Sequence, residues 1–235
     1  MSLNHESERE LLSDAWRILG QLGLVDTIFN HISSVIADSE GQLQLLLNRN
    51  TSLPAQLRPE DVCVTPLREY DSDEAENLGV NPDGLQLHSS LHIARMKPGV
   101  IIHTHSLNCL AVGCTEQSLL PISQTSLEFV NSVRTIEYFG VFRATNLTKE
   151  LEELAFSGGA AFLRNHGALF VADTIPEAVY LAYYLEEACR IQVATLSQGV
   201  PFVTPGNGII DQVSLSLIQE RPRVSKRLFT ALRKV

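Results

Sequence analysis

The chain has 235 residues and a formal net charge of −9, which leaves room for one domain with a full core or two small ones. The acidic balance argues against a nucleic-acid binder, which would carry a basic patch or stripe, and no apolar run reaches the length of a membrane span. Cys63, Cys109, Cys114 and Cys189 form no CxxC pair, so a disulfide framework is not indicated. A reduced, cytoplasmic setting is expected, and the polar opening Met1 to Glu6 is not expected to be a secretion signal.

In chain order, Ser7 and Glu10 have capping-box spacing ahead of Leu11, Leu12, Ala15, Trp16 and Leu19, which predicts a helix that Gly20 and Gly23 stop. The stretch Leu24 to Ile36 turns β-rich toward its end. A turn through Asp38 to Gly41 and a return strand from Gln42 to Leu47 complete a hairpin. Residues 48–82 hold Pro54, Pro59 and Pro66, a short strand around Val62 to Val64, and an acidic run, Asp71 to Glu76, that reads as a solvated loop. A helix opening near Asp83 carries Leu87, His88, Leu91, His92 and Ala94, and ends at Lys97-Pro-Gly99.

Val100-Ile-Ile-His-Thr-His-Ser106 then reads as a strand. A helix over Asn108 to Thr115 follows, with strands over Leu119 to Ile122 and Val133 to Phe139, and a capped helix over Thr148 to Phe156. Ala160 to Leu163 and Ala168 to Val171 are two strands interrupted by Asn165-His-Gly167. Thr174 and Glu177 around Pro176 open the clearest helix, which runs to Gly199. Breaks at Pro201, Pro205, Gly206 and Gly208 precede a basic, weakly amphipathic end. Mixed strands and helices without a boundary predict one α/β domain over residues 1–235, its core at about 8–200 and a C-terminal extension over 201–235.

The chemistry concentrates in the histidines, of which there are seven. Side chains at i and i+2 of a strand share a face, so His103 and His105 can converge on one cation; the alternative is two polar residues facing solvent. Imidazole suits zinc and its first-row neighbours. His166 sits on a strand interruption where Gly167 permits close approach. His88 and His92 form an i, i+4 pair on one helix face, the spacing of a zinc helix but without the glutamate of His-Glu-x-x-His. His31 reads as a buried or strand-pairing histidine. Gly-x-Gly-x-x-Gly, P-loop and Gly-x-Ser-x-Gly signatures are absent.

Gly23-Leu-Val-Asp26 with Asn30-His-Ile-Ser33, Leu87-His-Ser-Ser-Leu-His-Ile-Ala-Arg95, Val100 to Ser106, Leu120-Pro-Ile-Ser-Gln-Thr125, Leu163-Arg-Asn-His-Gly167 and the helix Ala178 to Gln192 occur in one order. Together this set resembles the class II aldolase/adducin family, the adducin-like branch above all. The resemblance implies a three-layer α/β/α domain with a mostly antiparallel central sheet, commonly a homotetramer. It also implies a divalent metal, usually Zn2+, held by His103, His105 and His166. In such enzymes the metal acts as a Lewis acid on a hydroxy-ketone and stabilises an enediolate.

Two departures accompany it. The family's aldolases carry a glutamate four residues before the helix histidine; here that position is Gly84. Of the phosphate pocket only Asn30 matches, which makes it the candidate substrate-binding residue. His88, His92 and Tyr138 are the candidate catalytic groups in place of the missing base. Two readings follow. One is a metal-dependent lyase or related aldol-type enzyme acting on a small hydroxy- or oxo-carbonyl compound (a sugar or sugar-acid derivative). The other is a non-catalytic adducin-like domain that assembles or binds a protein partner and keeps the histidines.

Overall fold

The computed structural model describes residues 5–25, 27–137 and 147–234. The hairpin forms as its turn signals require. Strand β1 (His31–Ala37) pairs antiparallel with β2 (Leu43–Leu47), which pairs with β3 (Cys63–Pro66). On its other side β1 pairs antiparallel with β4 (Gly99–Thr104), and β4 pairs antiparallel with β7 (Gly167–Ala172). Strand β6 (Gly159–Leu163) joins β7 antiparallel, and β5 (Arg134–Ile136) joins β6 parallel. The sheet order is β3-β2-β1-β4-β7-β6-β5. One parallel pair makes the sheet mixed, mostly antiparallel as the resemblance implied.

Alternation of side chains divides the sheet into two buried faces. Ile32, Ile36, Val100, Ile102, Phe162 and Phe170 pack on one side against α1 (His5–Gln21), α4 (Leu107–Gly113) and α7 (Ile175–Leu196), and the C-terminal α8 (Asn207–Leu232) packs in turn on α7. Ile101, Leu163, Leu169 and Val171 face the other way. They pack with Leu87 and Leu91 of α3 (Pro82–Arg95) and Leu151 and Leu154 of α6 (Lys149–Ser157). Farther along that face, Val35, Leu45 and Leu47 meet Leu85 and Ala75. These are the three α/β/α layers.

Four expectations are corrected. Helix α1 is already formed at His5, so Ser7 lies within it; Gly20 is also inside, where a β-carbon would sit 2.5 Å from Pro54 Cβ. The acidic run forms helix α2 (Ser72–Leu78), because Asp71 accepts from the Glu74 N–H at 2.8 Å and Ala75 is buried. Leu119 to Ile122 is irregular: the Leu120 N–H donates to Gln192 Oε1 at 2.7 Å rather than to a strand. A short helix α5 (Gln124–Leu127) follows. In the tail, Pro201, Pro205 and Gly206 do precede the 26-residue α8, whereas Gly208 does not break the chain but lies inside that helix, as does Pro222.

Candidate metal centre

Strand β4 is the middle strand of the sheet, and its C-terminal end carries the site. His103 faces the α3 layer with Ile101, and His105 follows just past the strand. His166 arrives from the β6–β7 turn. Because Thr104 lies opposite Ala168 in the β4–β7 ladder, that turn abuts the end of β4. Asn165 takes the left-handed conformation at φ 57°, which asparagine tolerates, and the His166 N–H closes the turn on the Leu163 carbonyl at 3.0 Å. At Gly167 a β-carbon would lie 2.3 Å from the Thr104 carbonyl oxygen, 2.9 Å from His105 Cδ2 and 3.3 Å from His103 Cε1. Only glycine lets the strands and the imidazoles close up here.

One ring nitrogen from each of His103, His105 and His166 lies within 4.8 Å of the other two, and the Nε2 atoms of His103 and His105 are 2.9 Å apart. His103 Nδ1 is 3.1 Å from the Ala168 carbonyl. A carbonyl can only accept, so Nδ1 carries the proton and Nε2 presents its lone pair to the cluster, the arrangement that orients a metal-binding histidine. Three nitrogens on a tetrahedral ion at ~2.0–2.1 Å stand roughly 3.3 Å apart, a value the observed spacings bracket. Burial, reinforced by facing His31, His105 and His166, holds the His103 imidazole well below its ordinary pKa. Burial also lowers His166, against the opposing pull of Asp83. Both effects favour the neutral form that ligates metal. His103 is buried and the other two are half-buried, so the cluster opens on the His105–His166 side. Three protein donors leave a coordination position for another ligand.

The backbone around the cluster is held by buried amides and one carboxylate. Asn30, fully buried, accepts the His105 N–H on Oδ1 at 2.8 Å. Asn48 in turn accepts the Ile32 N–H at 2.8 Å. Glu186 of α7 accepts the N–H groups of Asn108 and Cys109 at 3.0 and 2.9 Å, which fixes the start of α4 directly after the site.

The helix histidines lie deeper. His88 Nδ1 and His92 Nε2 share the Ser33 hydroxyl at 2.6 and 2.8 Å, and both rings are buried and outside the three-nitrogen cluster. Burial lowers both pKa values, that of His92 to about 3. His31 connects this pair to the centre. Its ring stacks on His103 at 5.4 Å between centroids and meets His88 edge-on at 5.6 Å. Asn30 contacts the His105 backbone, while Tyr138 lies outside the described residues. Sequence reasoning passed over Ser33, Glu186 and the placement of His31. The β1–β4 register, which sets His31 opposite His103, is non-local and leaves no short-range signal. A cavity of about 440 Å³ lies at the opposite end of these strands, lined by Ser34, Val35, Gly99 and Thr174 among others, remote from the histidines.

Comparison with known proteins matches this architecture. The chain is 30% identical over 198 residues to a Pseudomonas aeruginosa protein provisionally named a class 2 aldolase, covering 82% of this chain and 73% of that one. It is 30% identical over 192 residues to rat alpha-adducin, of which it spans 25%, using 79% of its own length. Its fold superposes with a TM-score of 0.83 on an aldolase II superfamily protein from Pseudomonas syringae, at 26% identity and covering 100% of this chain and 95% of that one. Residues 10–193 match the family described as Class II Aldolase and Adducin N-terminal domain, and the chain belongs to that family.

Proposed function

We propose that the protein is a metal-dependent lyase or related aldol-type enzyme acting on a small hydroxy- or oxo-carbonyl compound, a sugar or sugar-acid derivative. The observation that carries this reading is the convergence of three imidazole nitrogens within 4.8 Å beside a glycine that nothing larger could replace. A divalent ion there, Zn2+ first among the candidates, would supply Lewis-acid polarisation of adjacent substrate oxygens and favour an enediolate. The chain's own part is to hold the ligand set: the Ala168 carbonyl orients His103 and Asn30 orients the His105 backbone. His88, His92 and Tyr138 are the candidates for moving the proton, and Asn30 is the candidate contact for substrate. Assembly as a homotetramer and a cytoplasmic setting belong to the same proposal. Among the described residues no helix is long and apolar enough to cross a membrane.

A second reading, a non-catalytic adducin-like assembly or protein-binding domain, draws support from the adducin likeness and from Gly84, which offers no acid/base group. Deuterium exchange separates the two. Metal-loaded protein is incubated with glycolaldehyde or dihydroxyacetone in D2O, and loss of the proton next to the carbonyl is followed by NMR. Exchange that disappears on chelation and in H105A supports the enzyme. Tight metal binding without exchange in either compound favours the assembly domain.

A further inference from the structure

His31 is 6% exposed, and both of its ring nitrogens lack a hydrogen-bond partner among the described residues. A neutral imidazole has one donor and one acceptor, and burying both unmet is costly. The position is also over-determined. The ring stacks on the metal-site residue His103, meets His88 edge-on, and lies against Gly84. A β-carbon on residue 84 would fall 2.6 Å from His31 Cδ2 and 2.8 Å from both Cγ and Nε2. Position 84 is glycine because the His31 ring fills the space in which a side chain would start. Asn81 lies near enough to favour the charged form of the ring, but its Oδ1 accepts the Gly84 N–H at 2.9 Å and its side chain meets neither ring nitrogen in hydrogen-bond geometry. His31 is also not one of the cluster donors.

We infer that His31 is a ligand-contacting residue of the metal centre: its ring hydrogen-bonds a small molecule with two adjacent oxygens, an α-hydroxy carbonyl or α-hydroxy acid, held at the His103–His105–His166 cluster. The site thus takes its extra polar group from β1 rather than from α3. The inference rests on the metal-centre reading. It adds that the group beside the ion is an imidazole whose placement depends on residue 84 having no side chain.

Cobalt-loaded protein tests it, with acetohydroxamate as a bidentate oxygen probe and the visible cobalt bands as the readout. Wild type, H31F, H31Q and G84A are compared. H31F keeps a ring without nitrogens, H31Q restores a donor and an acceptor, and G84A displaces the ring without altering its chemistry. Cobalt affinity should stay within about threefold throughout, because His31 is not a metal donor. Probe affinity should fall about tenfold in H31F and G84A and recover substantially in H31Q. Circular dichroism and melting identify any variant that fails to fold, in which case G84A and H31Q carry the comparison. Equal probe affinity in wild type and the ring variants overturns the inference, as does a wild-type cobalt protein that ignores the probe. Loss of cobalt by folded H31F overturns it in favour of a fourth metal donor. Failure of the wild type to bind cobalt overturns instead the metal-centre reading beneath it.

Discussion

Substituting Ser33 by alanine probes the polar network that carries the α3 histidines beneath the sheet. The Ser33 hydroxyl is bonded to His88 Nδ1 at 2.6 Å and His92 Nε2 at 2.8 Å, and Ser33, His88 and His92 are all 0–1% exposed. The opposite ring nitrogens, His88 Nε2 and His92 Nδ1, already lack partners among the described residues. Removing one hydroxyl therefore strands two more buried nitrogens, and at ~1–3 kcal/mol each, with partial relaxation, S33A should lose roughly 2–4 kcal/mol. For a chain of this length that corresponds to a melting temperature lower by roughly 5–15 °C. Urea unfolding at pH 7.5 with the metal content held fixed is the assay. Adding H92L to S33A should cost less than H92L alone, since the two residues share one interaction. A loss below about 0.5 kcal/mol, or strict additivity, would refute the argument that Ser33 satisfies both imidazoles.

The same histidines predict acid lability. His92 has a folded pKa of about 3 against 6.5 unfolded, so its contribution is complete above about pH 6.5 and is lost as pH falls. Linkage gives about 2 kcal/mol of stability lost between pH 7 and 5 from this group alone, with His88 acting in the same direction. Urea titrations of metal-free protein at the two pH values measure this, and a flat profile would contradict it. G167A should weaken metal binding at least tenfold and destabilise by ~1–3 kcal/mol, because its methyl would overlap the Thr104 carbonyl at 2.3 Å; calorimetric zinc titration reads the first effect and thermal melting the second. E186Q should lower stability by ~1–2 kcal/mol, as a neutral amide accepts more weakly from the Asn108 and Cys109 N–H groups. An unchanged melting point would show that α4 does not depend on this cap.

What could be read directly from the sequence is what short-range chemistry specifies. The β1–β2 hairpin follows from its turn and alternation, and α7 from Thr174, Pro176 and its apolar stripe. The cluster histidines were readable because two share a strand at i, i+2 and the third precedes a glycine. The acidic run over 71–76 misled because its charges face solvent while Asp71, Glu74 and buried Ala75 still build a capped helix. Leu119 to Ile122 has strand composition, but its pairing partner is a side chain 72 residues along, Gln192. His31 needed the long-range β1–β4 register, and Gly84 needed the position of His31. No local pattern encodes either one.

If His103, His105 and His166 form one metal centre, X-ray absorption at the zinc edge will report it. One ion per chain is expected, with three imidazole nitrogens at ~2.0–2.1 Å and at least one further light-atom ligand not supplied by these histidines. This signature and the bound ion should both be lost in the H103A/H105A/H166A variant. Zinc retained by that folded variant with an unchanged spectrum, or a wild-type ion with fewer than two imidazole ligands, would contradict a three-histidine centre.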